Sequence, residues 1–154
     1  LTFVLDACVA LAWCFADEAS PDSARLFRAT LNVGASVPPL WIYEVSNGLR
    51  TARRAGRLSQ QAFREWRAQL LQLPVRAAST THGAILGDAL TLAMEHHLTA
   101  YDASYLELAI RLRVPLATLD GGGRRSGLRQ AATAAGVPLV SAELAAAWAN
   151  LASE

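Results

Sequence analysis

With 154 residues, 53% of them apolar and 18% charged, the chain has the size of one ordinary domain and a composition that excludes disorder. A domain of this length buries roughly 70% of its unfolded surface, enough for a proper core. A net charge of +1 creates no overall field for nucleic acid, so any such partner must be met by a local patch. In chain order, residues 2–5 read as a short buried strand, after which Asp6 caps a helix over 7–16. Ser20, Pro21 and Asp22 mark the start of a second helix that runs to about residue 31. A short strand at 36–37 is stopped by Pro38 and Pro39, and 40–54 is helical and closed by Gly56. Ser59 caps a helix carrying Phe63, Trp66, Leu70 and Leu73 at helical spacing. Residues 75–78 suit a strand, 81–96 and 102–111 helices, 114–119 a strand, and 124–135 a helix ended by Gly136. A strand at 138–140 and a last helix capped by Ser141, with Glu143 in its first turn, complete the pattern. Short apolar strands alternating with amphipathic helices indicate a single α/β domain over 1–154 with a mostly parallel sheet.

Four acidic residues stand in otherwise apolar surroundings. Asp6 ends the first strand, Glu44 interrupts Leu40-Trp41-Ile42-Tyr43 and Val45, Asp102 follows Leu98-Thr99-Ala100-Tyr101, and Asp120 ends the run from Val114. Each has an ordinary reading. Asp6 and Asp102 suit helix N-caps, Asp120 a turn before Gly121-Gly122-Gly123, and Glu44 a helix edge reaching solvent. Taken together they ask for a positive partner, because a buried carboxylate is costly without one. Ligands of open α/β sheets bind beyond the carboxyl ends of the strands, where Asp6 and Asp120 fall. Oxygen-only donors suit Mg²⁺ or Mn²⁺. Such a cation would hold a phosphodiester, acidify a water and stabilise the leaving oxygen. All 14 basic residues are arginine. The absence of lysine counts against a P-loop, and equally against haloacid-dehalogenase-like phosphatases and response-regulator receivers, which use a lysine in the site.

The order of these segments resembles PIN domains, and within them the VapC-type toxins. Val4-Leu5-Asp6-Ala7-Cys8-Val9-Ala10-Leu11 is similar to the family's opening strand and helix. Pro38-Pro39-Leu40-Trp41-Ile42-Tyr43-Glu44-Val45-Ser46-Asn47 is similar to its second motif, Thr99-Ala100-Tyr101-Asp102-Ala103-Ser104-Tyr105 to its third, and Pro115-Leu116-Ala117-Thr118-Leu119-Asp120 to its fourth. The resemblance implies a three-layer α/β/α fold with a short central sheet and a Mg²⁺-dependent (or Mn²⁺-dependent) endoribonuclease. Asp6, Glu44, Asp102 and Asp120 would then be the catalytic, metal-binding acids. Thr118 would support the fourth acid with its hydroxyl, and Asn47, one helical turn after Glu44, would hydrogen-bond the site. It further implies an RNA substrate, a cognate antitoxin covering a groove near the acids, and a homodimer. One position departs: family members often carry Ser two residues after the first Asp, and here it is Cys8, a weaker donor. The alternative is a non-catalytic PIN-like module that binds RNA or protein.

Arg50, Arg53, Arg54 and Arg57 cluster at the end of the Glu44 helix, either answering its dipole or contacting phosphates. Arg124 and Arg125 follow the glycine run and suit an RNA backbone; with Arg50 and Arg53 they are the candidate RNA contacts. Asp88, Glu95 and Glu107 are expected to be solvated, and Asp17 with Glu18 to form a surface loop. Trp13, Phe15 and Trp41 are expected in the core, and His82, His96 and His97 show no metal-ligand spacing. Cys8 and Cys14, six residues apart on one helix, point about 240° apart, which disfavours a disulfide and suits a reducing cytoplasm. The apolar run 7–16 is too short to span a bilayer, so neither a membrane anchor nor a signal peptide is expected.

Overall fold

The computed structural model describes residues 1–119 and 126–151. Asp120, the glycine run, Arg124 and Arg125 lie outside the described residues, and the expectations placed on them with it. Among the described residues, β1 (Val4–Leu5), β2 (Ala35–Val37), β3 (Val75–Ala77) and β4 (Leu116–Ala117) form one parallel sheet in the order β3-β2-β1-β4. β1 lies between β2 and β4, with Val4 opposite both Ser36 and Leu116, and Leu5 opposite Ala117. Phe3, Val4 and Leu5 are wholly buried, as an inner parallel strand covered on both faces requires. Each such side chain contributes about 1.5–3 kcal/mol by leaving water. The strand expected at 138–140 is a single bridge, Leu116 to Leu139. Pro138 has no N–H to extend a ladder.

Between the strands run α1 (Ala7–Trp13), α2 (Pro21–Val33), α3 (Leu40–Arg54), α4 (Gln60–Gln72), α5 (Leu90–His96) and α6 (Ala100–Leu112), followed by α7 (Ser126–Ala134) and α8 (Ala142–Ala149). The expected serine caps form. Ser20, Ser59 and Ser141 accept from the amides of Ser23, Ala62 and Leu144 at 3.1, 3.0 and 3.1 Å. Gly136 follows α7 at φ 70°, the left-handed conformation that glycine adopts without strain. Three boundaries differ from expectation. α1 stops at Trp13, and Ala16–Glu18 makes a separate 3₁₀ turn. The helix expected over 81–96 divides into a π-helix, Gly83–Ala89, and α5; Gly83 and Gly87 weaken its α preference. Finally, α6 begins before Asp102, because Thr99 is the cap and accepts the Asp102 amide at 3.1 Å.

α1 packs against both α2 and α3, and α3 against α4; α6 packs on β1 and β4, with α5 and α7 beside it. The result is the three-layer α/β/α arrangement. α8 returns along α2, where Trp148 stacks on Phe3 at 5.4 Å between ring centres. The Asn32 amide lies 3.0–3.1 Å from the carbonyls of Trp148, Ala149 and Leu151 that end α8. Trp13, Phe15 and Trp41 are core residues, and both cysteines are buried free thiols. Glu107 corrects the sequence reading. It is buried, not solvated, because Arg111 one turn later reaches it, Nε to Oε1 at 2.7 Å. Asp88 and Glu95 are exposed as expected.

Candidate active site

The site begins where β1 hands over to α1. Asp6 is the N-cap of α1, with extended backbone (φ −71°, ψ 140°), and its Oδ1 accepts the Cys8 amide at 3.1 Å. The same aspartate fixes the strand end through its own amide, which donates to the Ala117 carbonyl at 3.0 Å. Its other oxygen, Oδ2, accepts from the Thr118 hydroxyl at 2.6 Å and from the Cys8 thiol at 3.0 Å. Thr118 immediately follows β4, so the pairing of β4 with β1 brings it beside Asp6. Burial, then the Asp6 charge and hydrogen bond, push the Cys8 thiol well above its ordinary range, against a weaker pull from the Leu119 backbone and Thr118. Cys8 is thus a neutral donor to the Asp6 carboxylate.

Glu44 comes from α3, one turn in from its start, and is half-buried. Tyr105 of α6 donates its hydroxyl to Glu44 Oε2 in a short hydrogen bond. Burial, then the bond to and charge of Glu44, then the charge of Asp6, push the Tyr105 hydroxyl far above its ordinary range, with only the Ala7 backbone opposing. Tyr105 thus serves Glu44 as a neutral donor. Asp102 is half-buried in the first turn of α6, three residues before Tyr105, and so lies on the helix face that carries Tyr105.

α3 can approach α1 closely because of Gly48. A Cβ there would lie 2.5 and 2.6 Å from the two methyl carbons of Leu11. Glu44 is one helical turn from that contact, and Asp6 caps the helix that carries Leu11.

The family model for the PIN domain matches residues 3–126. The chain belongs to the PIN-domain family. It is 33% identical over 78 residues to the protein named Ribonuclease VapC3 of Pyrobaculum aerophilum. That alignment covers 51% of this chain and 60% of the relative, so the chain spans about three fifths of the length of the curated protein it matches.

In this PIN domain Tyr105 bonds Glu44, Thr118 and Cys8 bond Asp6, and Asp102 lies on the same helix as Tyr105. The Thr118 hydroxyl donates to Asp6, the first acid, because β4 pairs directly with β1; the support expected for Asp120 falls outside the described residues. Cys8 makes the contact that a serine would make, through its thiol. Asn47 is exposed. Among the arginines, Arg50 is exposed, Arg53 donates from Nε to Gln60 Oε1 at 3.0 Å, and Arg57 is held by Asp17 and Glu18 over the Phe15 ring. Tyr105 was not among the sequence-derived site residues. Its spacing from Asp102 was the available signal, since residues three apart share a helix face.

The donor set can be tested against a cation. Among the described residues no three His, Cys, Asp or Glu side chains gather closely enough to hold a metal ion. Asp6 and Glu44 offer hard carboxylate oxygens, the donors that Mg²⁺ takes through one or two carboxylates while keeping the rest of its shell for water and phosphate.

Proposed function

We propose that this PIN domain is a Mg²⁺-dependent endoribonuclease and the toxin of a toxin–antitoxin pair. The observation that carries the reading is the fixing of two acids from separate elements by neutral donors, Asp6 by Thr118 and Cys8 and Glu44 by the buried Tyr105 hydroxyl. The family match and the likeness to a protein named as a ribonuclease support it. When bound, a divalent cation supplies Lewis-acid activation of water and charge neutralisation at the phosphodiester. Asp6 and Glu44 would hold it, with Asp102 and Asp120 completing the acidic set. Thr118 and Cys8 fix the Asp6 carboxylate. Arg50 and Arg53, with Arg124 and Arg125, would hold the RNA backbone, and Asn47 would act at the rim of the site.

The test is cleavage of a pool of structured RNAs with Mg²⁺ or Mn²⁺, against EDTA and Asp6→Asn, which keeps the helix cap. Discrete fragments that vanish in both controls are expected. RNA binding without cleavage by folded, metal-loaded protein would make it a non-catalytic binding module instead.

An antitoxin has a suitable seat. A groove of 500 Å³ between α3 and α4 is lined by Trp41, Val45, Leu49, Phe63 and Leu70, with Arg50 and Arg67 at its rim. Antitoxin binding that is weakened by Leu70→Glu at this groove is expected, and unaltered binding would place the antitoxin elsewhere. A homodimer face is supported by Leu86, Leu90 and Met94, exposed at four-residue intervals. Leu90→Glu should then give monomers by light scattering, and an unaltered mass would exclude that face. No helix among the described residues is long and apolar enough to cross a membrane. The two free, buried cysteines suit a reducing cytoplasm.

A further inference from the structure

We infer that Tyr105 is a positioning residue whose hydroxyl holds the Glu44 carboxylate in place for the cation; this rests on the metal-dependent reading above. Tyr105 is 1% exposed and is the largest of the fully buried side chains among the described residues. Phenylalanine would fill the same core volume, so the hydroxyl is the part that packing does not explain. A buried phenol must find an acceptor, and this one finds a carboxylate on another helix, 61 residues away in sequence. One polar atom thereby ties α6 to α3.

The consequence for Glu44 is conformational. A glutamate reaching from a helix has several rotatable bonds, and fixing it costs side-chain entropy at the moment of binding. A hydroxyl delivered by a rigid, buried ring removes that freedom in advance. Asp6 is fixed in the same manner by Thr118 and Cys8, so each acid has its own neutral donor from an element distant in sequence. Asp102, one turn before Tyr105, rides on the same helix. Partners that orient metal ligands in this way are worth about 10–100-fold in metal affinity or activity.

The experiment is Mn²⁺ titration of the purified full chain, followed by the EPR signal of the free ion, for wild type, Tyr105→Phe, Glu44→Gln and the double variant. Tyr105→Phe should weaken Mn²⁺ binding about 10-fold or more and lower kcat on RNA with KM unchanged. In the Glu44→Gln background the same change should have no further effect on Mn²⁺ affinity, since it acts through Glu44. Wild-type affinity in Tyr105→Phe would overturn the inference, whatever its melting temperature. So would an equal loss in both backgrounds, or a Tyr105→Phe chain that fails to fold, either of which makes the hydroxyl a general structural requirement. A wild-type chain that binds no Mn²⁺ overturns the metal reading itself, and is distinguished by failing before any substitution is made.

Discussion

The contact between Gly48 and Leu11 makes the geometry of the acids testable through stability. In an unobstructed helix, replacing glycine by alanine stabilises by about 1 kcal/mol. At Gly48 the added Cβ would meet Leu11 at 2.5 and 2.6 Å from its methyl carbons and 3.2 Å from its branch carbon. Carbon atoms rest near 3.5–4.0 Å, so an overlap of about 1 Å must be relieved by turning Leu11 or by moving α3 off α1. Overpacking of this kind costs about 1–3 kcal/mol. Gly48→Ala should therefore be between neutral and about 2 kcal/mol less stable, and the gain of about 1 kcal/mol should reappear in a Leu11→Ala background, where the obstruction is gone. Urea unfolding of the four proteins of this cycle gives a coupling expected at about 1–3 kcal/mol. A Gly48→Ala chain about 1 kcal/mol more stable than wild type, in both backgrounds, would refute the close approach as the device that sets α3 against α1.

Two further outcomes follow from buried ionisable groups. Burial pushes the Cys14 thiol up to about 12 from an unfolded value near 9, so the unfolded chain loses this proton first. Stability should be intact below pH 9 and fall as pH rises towards 12, and melting curves of Cys14→Ala should show a shallower slope over that window. Arg111→Ala should strand the Glu107 carboxylate, whose side chain is 5% exposed, while Arg111 itself is 38% exposed. Solvent access at the arginine reduces the full penalty of a broken buried pair to about 1–3 kcal/mol, read by urea unfolding, with partial recovery in a double variant carrying Glu107→Gln. A loss below a few tenths of a kcal/mol would show that water already screens Glu107.

Local signals carried much of this molecule. Ser20, Ser59 and Ser141 announce helices because each hydroxyl satisfies an amide two or three residues on, and sequence distance is all that such a cap requires. Asp6 was legible for the same reason, as the polar end of an apolar run. Tertiary relations were less so. The acid that Thr118 serves depends on which strand β4 joins, and Tyr105 reads as an ordinary core aromatic until α6 and α3 are brought together. Glu107 reads as a solvated helix residue, yet Arg111 four residues on offers a charge that meets it when it is buried. The early start of α6 came from a competition between two cap candidates three residues apart, Thr99 and Asp102, which the threonine hydroxyl wins.

The Asp6–Thr118 bond has a consequence for when the site can exist during folding. The two residues lie 112 apart, and Thr118 reaches Asp6 only if Leu5 faces Ala117 in the ladder. Successive strand residues point to opposite faces, so pairing shifted by a single step would turn the hydroxyl away. Contacts between distant parts of a chain form at the highest entropic cost. Asp6 is thus synthesised early yet held correctly only once β4 has docked in its one register. A chain still emerging, or one whose β4 has frayed, carries this acid without its geometry, so the arrangement around Asp6 becomes a report on completed assembly.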